Sequence, residues 1–428
     1  MHRRGAWAYV IAYHRRMHAQ GRMHAQERVL SFEDARRVVE ERAASSRPSA
    51  SEMVALDASL GRVLAEGIFA DRDYPPFPRA MRDGYALRAA DLGSLPVRLK
   101  TLGEIKAGGD PSAFSVAAGE AVSIMTGAPA PVGADAVVMV EYTTSSGAIV
   151  EVARSVVSGD NIVPAGAEAR RGDQLLVPGT RIDEAVIAVA ASIGKIRVEV
   201  YAQPKIAVLS TGDELVSAQE SPGPYQIRNS NSHSLAAQVR KAGGMPRILP
   251  IAPDEKIRLR ALIEEGLRSD LLLLSGGVSV GRYDFVEQVL EELGAAFFFT
   301  GALIQPGRPV VFGRVGEKYF FGLPGNPVST MVTFELFVRP VLEALSGAAA
   351  RPLRFLRAKL KTSISRKPGL KRFLPATLSG AFENAEVELT PWQGSGDLAS
   401  TAKTNCYIVI AADREEFAAG EWVPVLPR

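Results

Sequence analysis

A chain of 428 residues exceeds one ordinary hydrophobic core and predicts about three domains. Its hydrophobic content of 46% and charged content of 23% are those of a globular protein, and no apolar run nears the roughly 20 residues that span a bilayer. Lys+Arg 50 against Asp+Glu 47 gives +3, which excludes recruitment of nucleic acid or another polyanion by bulk charge.

Much of the positive charge lies at the start. Residues 1–30 hold six Arg and one Glu, a balance of +5 that leaves −2 for the rest. Met17-His18-Ala19-Gln20 recurs there as Met23-His24-Ala25-Gln26, and the stretch lacks the apolar core of a secretory signal, so it is read as an N-terminal extension. Cys406 is the only cysteine, and His233 is the only histidine beyond that stretch. An internal disulfide and a thiolate zinc cluster are excluded, Ser–His chemistry is disfavoured, and any metal is expected to be hard and oxygen-bound.

From Ser31 the pattern predicts a helix, with Ser31 as N-cap, Glu33 and Asp34 in the first turn, and Val38 and Val39 as apolar positions. Residues 44–50 end it, and a second helix is expected from about Leu56 to Leu64. Residues 66–180 read mainly as β, with short runs at Ala121–Met125, Ala136–Tyr142 and Ala148–Val152, the last two separated by a Ser145-Ser146-Gly147 turn. Polar loops at Tyr74–Tyr85 and Thr126–Gly133 interrupt them. Asp183 then caps a helix from Glu184 to Ile193, stopped at Gly194. That helix and the one from Ser31 flank the β stretch, which predicts a discontinuous helical domain interrupted by a β-rich insert.

From Lys205 strands and helices alternate: a strand at Ile206–Ser210, a helix through Ser232–Gly243, a strand at Arg247–Ile251 and a helix to Leu267. Leu271–Leu274, four leucines followed by Gly276-Gly277, read as a strand buried on both faces. Phe285, Val289, Leu290 and Leu293 then take helical spacing. Tyr319–Gly322 leads into Leu323-Pro324-Gly325-Asn326-Pro327 and a last helix to Leu345. This alternation implies a mostly parallel sheet with right-handed crossovers, whose ligands gather outside the carboxyl ends of the strands. The tail from Arg354 is β again, at Phe355–Leu360, Arg372–Leu378, Val387–Thr390, Cys406–Ile410 and Trp422–Leu426, which predicts a small barrel or sandwich.

A strand, a Gly-rich turn and a helix start make a natural anion site, because unpaired N–H groups and the positive helix end face the ligand. Ser275-Gly276-Gly277-Val278-Ser279-Val280-Gly281 has that form, with Asp284 just beyond it. Glu214, Asp254 and Asp284 all fall at strand ends of the α/β stretch. Singly, each reads as a helix-cap acid; together on one rim, beside a phosphate cradle, they describe a magnesium-bound phosphate ester or anhydride site. Pro324 and Pro327 would rigidify the neighbouring wall or merely shape the turn. In the β stretch, Asp83 reads equally as a ligand and as an Asx-turn residue before Gly84, and Thr126 as a site hydroxyl or a turn hydroxyl.

Taken together, Asp83–Ala86, Ile124–Pro129, Ser210–Leu215, Ser275–Gly281 with Asp284, and Gly322–Ser329 resemble the molybdopterin molybdenumtransferases, the bacterial MoeA type also represented by the gephyrin E domain. The likeness runs from about Ser31 to the C-terminus, with Gln393-Gly394-Ser395 and Asn405-Cys406 extending it into the tail. It implies a multidomain α/β plus β protein: a central three-layer α/β domain, a β-rich insert, a discontinuous helical linker domain and a C-terminal β-barrel. The borders it implies are an extension at 1–30, a helical dimerisation domain at 31–52 and 172–202, and a β-rich domain at 53–171. An α/β molybdopterin-binding domain follows at 203–352, then a barrel at 353–428. It further implies a cytoplasmic homodimer, with no membrane or nucleic-acid partner, that inserts molybdenum from molybdate into adenylylated molybdopterin. Pyrophosphate cleavage with Mg2+ would release AMP. Contact with a molybdopterin adenylyltransferase or a molybdoenzyme chaperone belongs to the same expectation.

Carried over by motif, Glu214, Asp254 and Asp284 serve the magnesium and pyrophosphate side, and Ser275, Gly276, Gly277, Ser279 and Gly281 cradle phosphate. Arg308, Pro324, Gly325, Asn326 and Pro327 line the molybdate or pterin pocket, with Asp83 and Thr126 as catalytic contributions from the second copy. Glu168 stands where the family carries a second Asp. Pro78, Ala80 and Arg82 replace an acid, a Ser and a Met before Asp83, and Thr300 and Gln305 stand where basic residues are usual. A molybdopterin adenylyltransferase, or a non-catalytic pterin-binding scaffold, is the alternative.

Overall fold

The computed structural model describes residues 28–277, 285–381 and 383–428. The chain forms two compact units. One takes the residues up to Glu52, Gly61–Val63 and Val200–Arg428; the other takes Met53–Leu60 and Leu64–Glu199.

The first unit is built on a six-stranded sheet. Its elements are β1 (Lys205–Ser210), α1 (Asn231–Lys241), β2 (Met245–Ile248), α2 (Lys256–Gly266), β3 (Leu271–Ser275), α3 (Phe285–Glu292), β4 (Ala296–Phe299), β5 (Val311–Val315) and β6 (Lys318–Leu323). Their spatial order is β2-β1-β3-β6-β5-β4. β2, β1, β3 and β6 run parallel, with Val208 beside Leu273 and Leu273 beside Phe321. β5 and β4 close the sheet in antiparallel fashion. The leucine run divides strictly by parity: Leu271 and Leu273 enter one face with Ile206, Val208 and Phe321, while Leu272 and Leu274 enter the other with Ala207 and Leu209. Helices cover both faces, which is why the run shows no polar alternation.

On the first face lie α1, the last helical stretch from Pro327, and a helix at Phe32–Ser45 that contributes Phe32, Ala35 and Val39. Ser31 caps that helix as expected, accepting the Asp34 N–H at 3.0 Å. α2 and α3 cover the second face through Leu259, Ile263, Val286, Val289 and Leu290. The last helix is continuous to Leu345 but carries a π-helical turn at Phe334–Val338. Pro340 follows at once, and its missing N–H leaves an i−4 carbonyl to find another donor.

The tail closes into a five-stranded barrel. Lys371–Ser379 pairs with Glu386–Leu389, which pairs with Leu356–Leu360, then Trp422–Pro427, then Cys406–Ile410 and back to Lys371–Ser379. Phe373, Tyr407 and Leu426 join the first-face core, so the barrel and the α/β layers share apolar packing.

The second unit has its own six-stranded sheet, ordered Ala136–Met139, Gly84–Leu87, Glu120–Ile124, Val97–Ile105, Ile149–Val152 and Thr143–Ser146. Its two faces bury separate apolar clusters around Ile124 and Leu99. The Asp183-capped helix, Glu184–Ser192, belongs to this unit, whereas Phe32–Ser45 belongs to the first. The helix expected at Leu56–Leu64 is not formed. Ser51–Ala55 is a strand and Leu56–Ala58 a single tight turn, closed when the Ser59 N–H and hydroxyl both return to the Leu56 carbonyl. Gly61, at φ +77°, then carries the chain away from helical geometry. Among the described residues no helix is long and apolar enough to cross a membrane.

Candidate active site

The chain passes from β1 to β2 on one side and then crosses back over β1 to β3 on the other, and the reversal of strand order opens a crevice outside the carboxyl ends of the strands. The strand ends are stitched together there. The Thr211 N–H donates to the Ser275 carbonyl at 3.1 Å, Gly212 to Ala252 at 3.2 Å, and Gly276 to Leu323 at 3.2 Å. Gly276 and Gly277 take φ of +89° and +64°, and a methyl group on Gly276 would stand 2.6 Å from the Thr211 carbonyl oxygen. Only glycine fits that position. A methyl on Gly325 would meet Gly276 Cα at 3.7 Å, so the loop after β6 rests directly on the turn after β3.

Asn231, at the start of α1, joins those two segments. Its Nδ2 donates to Ser275 Oγ at 2.9 Å and to the Gly325 carbonyl at 2.7 Å. Pro327 takes the first turn of the following helix, and Thr330 Oγ1 donates to the Pro324 and Asn326 carbonyls at 2.5 and 3.0 Å. Ser275, Gly276, Gly277, Pro324, Gly325, Asn326 and Pro327 thus form one rim. Ser279, Gly281 and Asp284 lie outside the described residues.

Of the rim acids, Asp254 accepts the Thr211 hydroxyl at 3.2 Å and donates its own N–H to Asp213 Oδ1 at 3.0 Å. Glu214 folds back over Gly212, where an added methyl would lie 2.7 Å from its Oε1. Its carboxylate is exposed and makes no side-chain hydrogen bond or ion pair among the described residues. Because Thr211 bridges Ala252, the two acids stand at the ends of adjacent strands. Among the described residues no three His, Cys, Asp or Glu side chains converge as a metal cluster. Beside Gly212 and Asp213 opens a cavity of about 520 Å³ whose wall includes His233, Ser232 and Ile251.

Arg308 is exposed, on the loop that follows Gln305 and Pro306. Gln305 itself accepts from Arg372 Nε at 2.8 Å. Arg372 is only 6% exposed and forms no ion pair among the described residues. Burial, with Arg366 nearby, pulls its guanidinium pKa below the usual arginine value. An anion there would offset part of that desolvation cost. Arg372, Asp213 and Asn231 were not among the residues singled out from sequence.

In the second unit, Asp83 precedes the strand Gly84–Leu87, where a side chain on Gly84 would strike the Val138 carbonyl. Asp83 Oδ1 accepts both the N–H and the hydroxyl of Thr126, each at 2.7 Å. The backbone donor first, then the hydroxyl, holds this exposed carboxyl below the usual aspartate range. Glu168 is exposed and paired with Arg79 at 2.7 Å. Arg82 is exposed and forms no ion pair among the described residues.

Three family descriptions match the chain in order: "MoeA N-terminal region (domain I and II)" over residues 30–194, "Probable molybdopterin binding domain" over 207–344, and "MoeA C-terminal region (domain IV)" over 357–427. The molybdopterin molybdenumtransferase of Bacillus subtilis (strain 168) is 34% identical over 387 residues, 88% of this chain and 89% of that protein. That of Haemophilus influenzae is 34% identical over 387 residues, 89% of this chain and 94% of that protein. Among solved structures, a molybdopterin biosynthesis MoeA protein from Pyrococcus horikoshii OT3 superposes with a TM-score of 0.78 at 30% identity, covering 94% of this chain and all of that one.

Proposed function

The chain belongs to the MoeA family of molybdopterin molybdenumtransferases and acts in molybdenum cofactor biosynthesis, and from that premise we propose its reaction in finer terms. Molybdenum from molybdate enters the dithiolene of adenylylated molybdopterin, the pyrophosphate is cleaved, and AMP leaves. The observation that carries this reading is the single rim formed by the Ser275–Gly277 turn, the Pro324–Pro327 loop, Glu214 and Asp254. N–H groups of such a turn suit phosphate oxygens, and carboxylates beside it suit the cation a pyrophosphate carries.

Glu214, Asp254 and Asp284 would hold Mg2+, which when bound supplies charge neutralisation on the phosphate oxygens. The described donors fit a hard ion: both are exposed carboxylates, and the Glu214 carboxylate has no partner among the described residues. No thiolate competes, since Cys406 is buried and its thiol is pushed up to about 11. The dithiolene sulfurs belong to the pterin. Ser275, Gly276, Gly277, Ser279 and Gly281 cradle phosphate in this scheme, and Arg308 stays beside the molybdate or pterin side.

The homodimer is part of the proposal. The helix Glu184–Ser192 is apolar from Ala185 to Ala191, yet only Val186 and Ala190 are buried, and Ile196 just beyond it is 80% exposed. A second copy is the occupant suited to such a surface. The partner subunit's Asp83 and the partner subunit's Thr126 would then complete each cleft, the former ionised and oriented.

The test is AMP release from adenylylated molybdopterin, with Mg2+ and molybdate, read by chromatography. Wild type should release AMP, and Asp254→Asn should lose about 100-fold or more while keeping its melting temperature. Equal rates in the two proteins would remove Asp254 from the reaction. A wild type that releases none would leave a scaffold, and one that makes pyrophosphate from ATP would be an adenylyltransferase.

A further inference from the structure

Four chain segments meet at the rim: the ends of β1, β3 and β6, and the first residue of α1. Backbone bonds tie the three strand ends in sequence, Thr211 to Ser275 and Gly276 to Leu323. Beyond that point the turn after β3 and the loop after β6 diverge, and the backbone–backbone bonds among the described residues include none between Gly276–Gly277 and Pro324–Asn326 themselves. They touch through Gly276 and Gly325, two residues without side chains. Such a contact sets a closest approach but no direction. The Asn231 amide spans it, with one hydrogen to the Ser275 hydroxyl and one to the Gly325 carbonyl.

The orientation of that amide is forced. The Gly325 carbonyl can only accept, so Nδ2 must face it; turning the amide over would set two acceptors 2.7 Å apart. The other end, Asn231 Oδ1, is buried and has no donor among the described residues. The amide therefore works at the rim as a double donor. Pro324 is buried and the Thr330 hydroxyl ties the Pro324 and Asn326 carbonyls to the following helix, but these hold the loop to its own helix. Gly325 and Asn326 are exposed, and the Asn231 amide is the side-chain hydrogen-bond link from Gly325 to the strand end before the turn.

We propose that Asn231 is a positioning residue, a clamp whose two donated hydrogen bonds fix the distance and angle between the phosphate-cradling turn and the proline loop. This rests on the assignment of both segments to substrate. If one segment holds the phosphates and the other the remainder of the same molecule, their separation decides whether the reacting bond meets the rim acids, and a shift of about 1 Å can cost 100-fold in rate.

Asn231→Asp tests it, because the carboxylate keeps the shape but has no hydrogen to give Gly325. The expected result is a fall of about 100-fold in kcat for AMP release with KM changed less than about threefold, and an unchanged melting temperature. Hydrogen exchange on the free protein should show faster exchange at Gly276–Gly277 and Gly325–Asn326 in Asn231→Asp, with α2 and the barrel strands as in wild type. Asn231→His, whose Nδ1–H can replace one donor toward Gly325, should recover part of kcat. Wild-type kcat and wild-type exchange in Asn231→Asp would overturn the clamp. If wild type releases no AMP, the proposed reaction fails, and the exchange comparison alone decides whether the clamp exists.

Discussion

Thr126 gives both its N–H and its hydroxyl to one oxygen of Asp83, and the carboxyl is held below the usual aspartate range for that reason. A depressed pKa in the folded state means that the stabilisation is present above the unfolded value and is lost as pH falls through the folded one. Thr126→Val keeps the N–H and deletes the hydroxyl. The Asp83 pKa should therefore rise, yet remain below that of a free aspartate, in a carbon-13 titration of the side-chain carboxyl. A value that does not move would show that the hydroxyl contributes nothing. At this scale sequence reading reaches residues that sit on motifs and passes over those defined by distant partners. Asp83 and Glu214 stand close to Gly84 and Gly212, and Asp254 follows a strand end, so local pattern is enough to single them out. Asn231 matters through Ser275 and Gly325, 44 and 94 positions away, and Arg372 through its burial against Gln305. Neither relation leaves a local trace.

Among elements, the turn after β3 is the most constrained. Gly276 combines a positive φ with a carbonyl 2.6 Å from where a methyl would sit. Gly276→Ala should lower stability by about 1–3 kcal/mol in denaturant unfolding and reduce AMP release more than that loss explains. A fully active alanine variant would mean that the turn relaxes without consequence. The strand before it was legible because four leucines cannot satisfy one-sided burial, and both faces of the sheet do take two each. The Ser31 cap was legible because its hydroxyl bonds only three residues away. The expected helix at Leu56–Leu64 failed on chemistry also three residues long: Ser59 closes on Leu56 before a second turn can form. The π-helical turn at Phe334–Val338 was hidden, since helical periodicity does not distinguish one extra residue in a turn.

For the whole molecule, the proposed sharing of a cleft between two copies makes a prediction that no single-site variant can. Asp83→Asn and Asp254→Asn chains, each silent alone, should recover about one quarter of wild-type activity when refolded together at equal amounts, because half the dimers then carry one intact cleft. No recovery in a mixture shown to contain heterodimers would place Asp83 and Asp254 in the cleft of the same chain. The one thiol offers a practical route to such measurements. Cys406 lies inside the barrel with its sulfur turned to the Ala376 carbonyl, and burial keeps it protonated at neutral pH. A cysteine placed at Tyr225, which is 94% exposed, would then be the only reactive handle on the described surface. Maleimide dyes or spin labels could be attached there in wild-type background, and distances between copies read directly, without first deleting a native group.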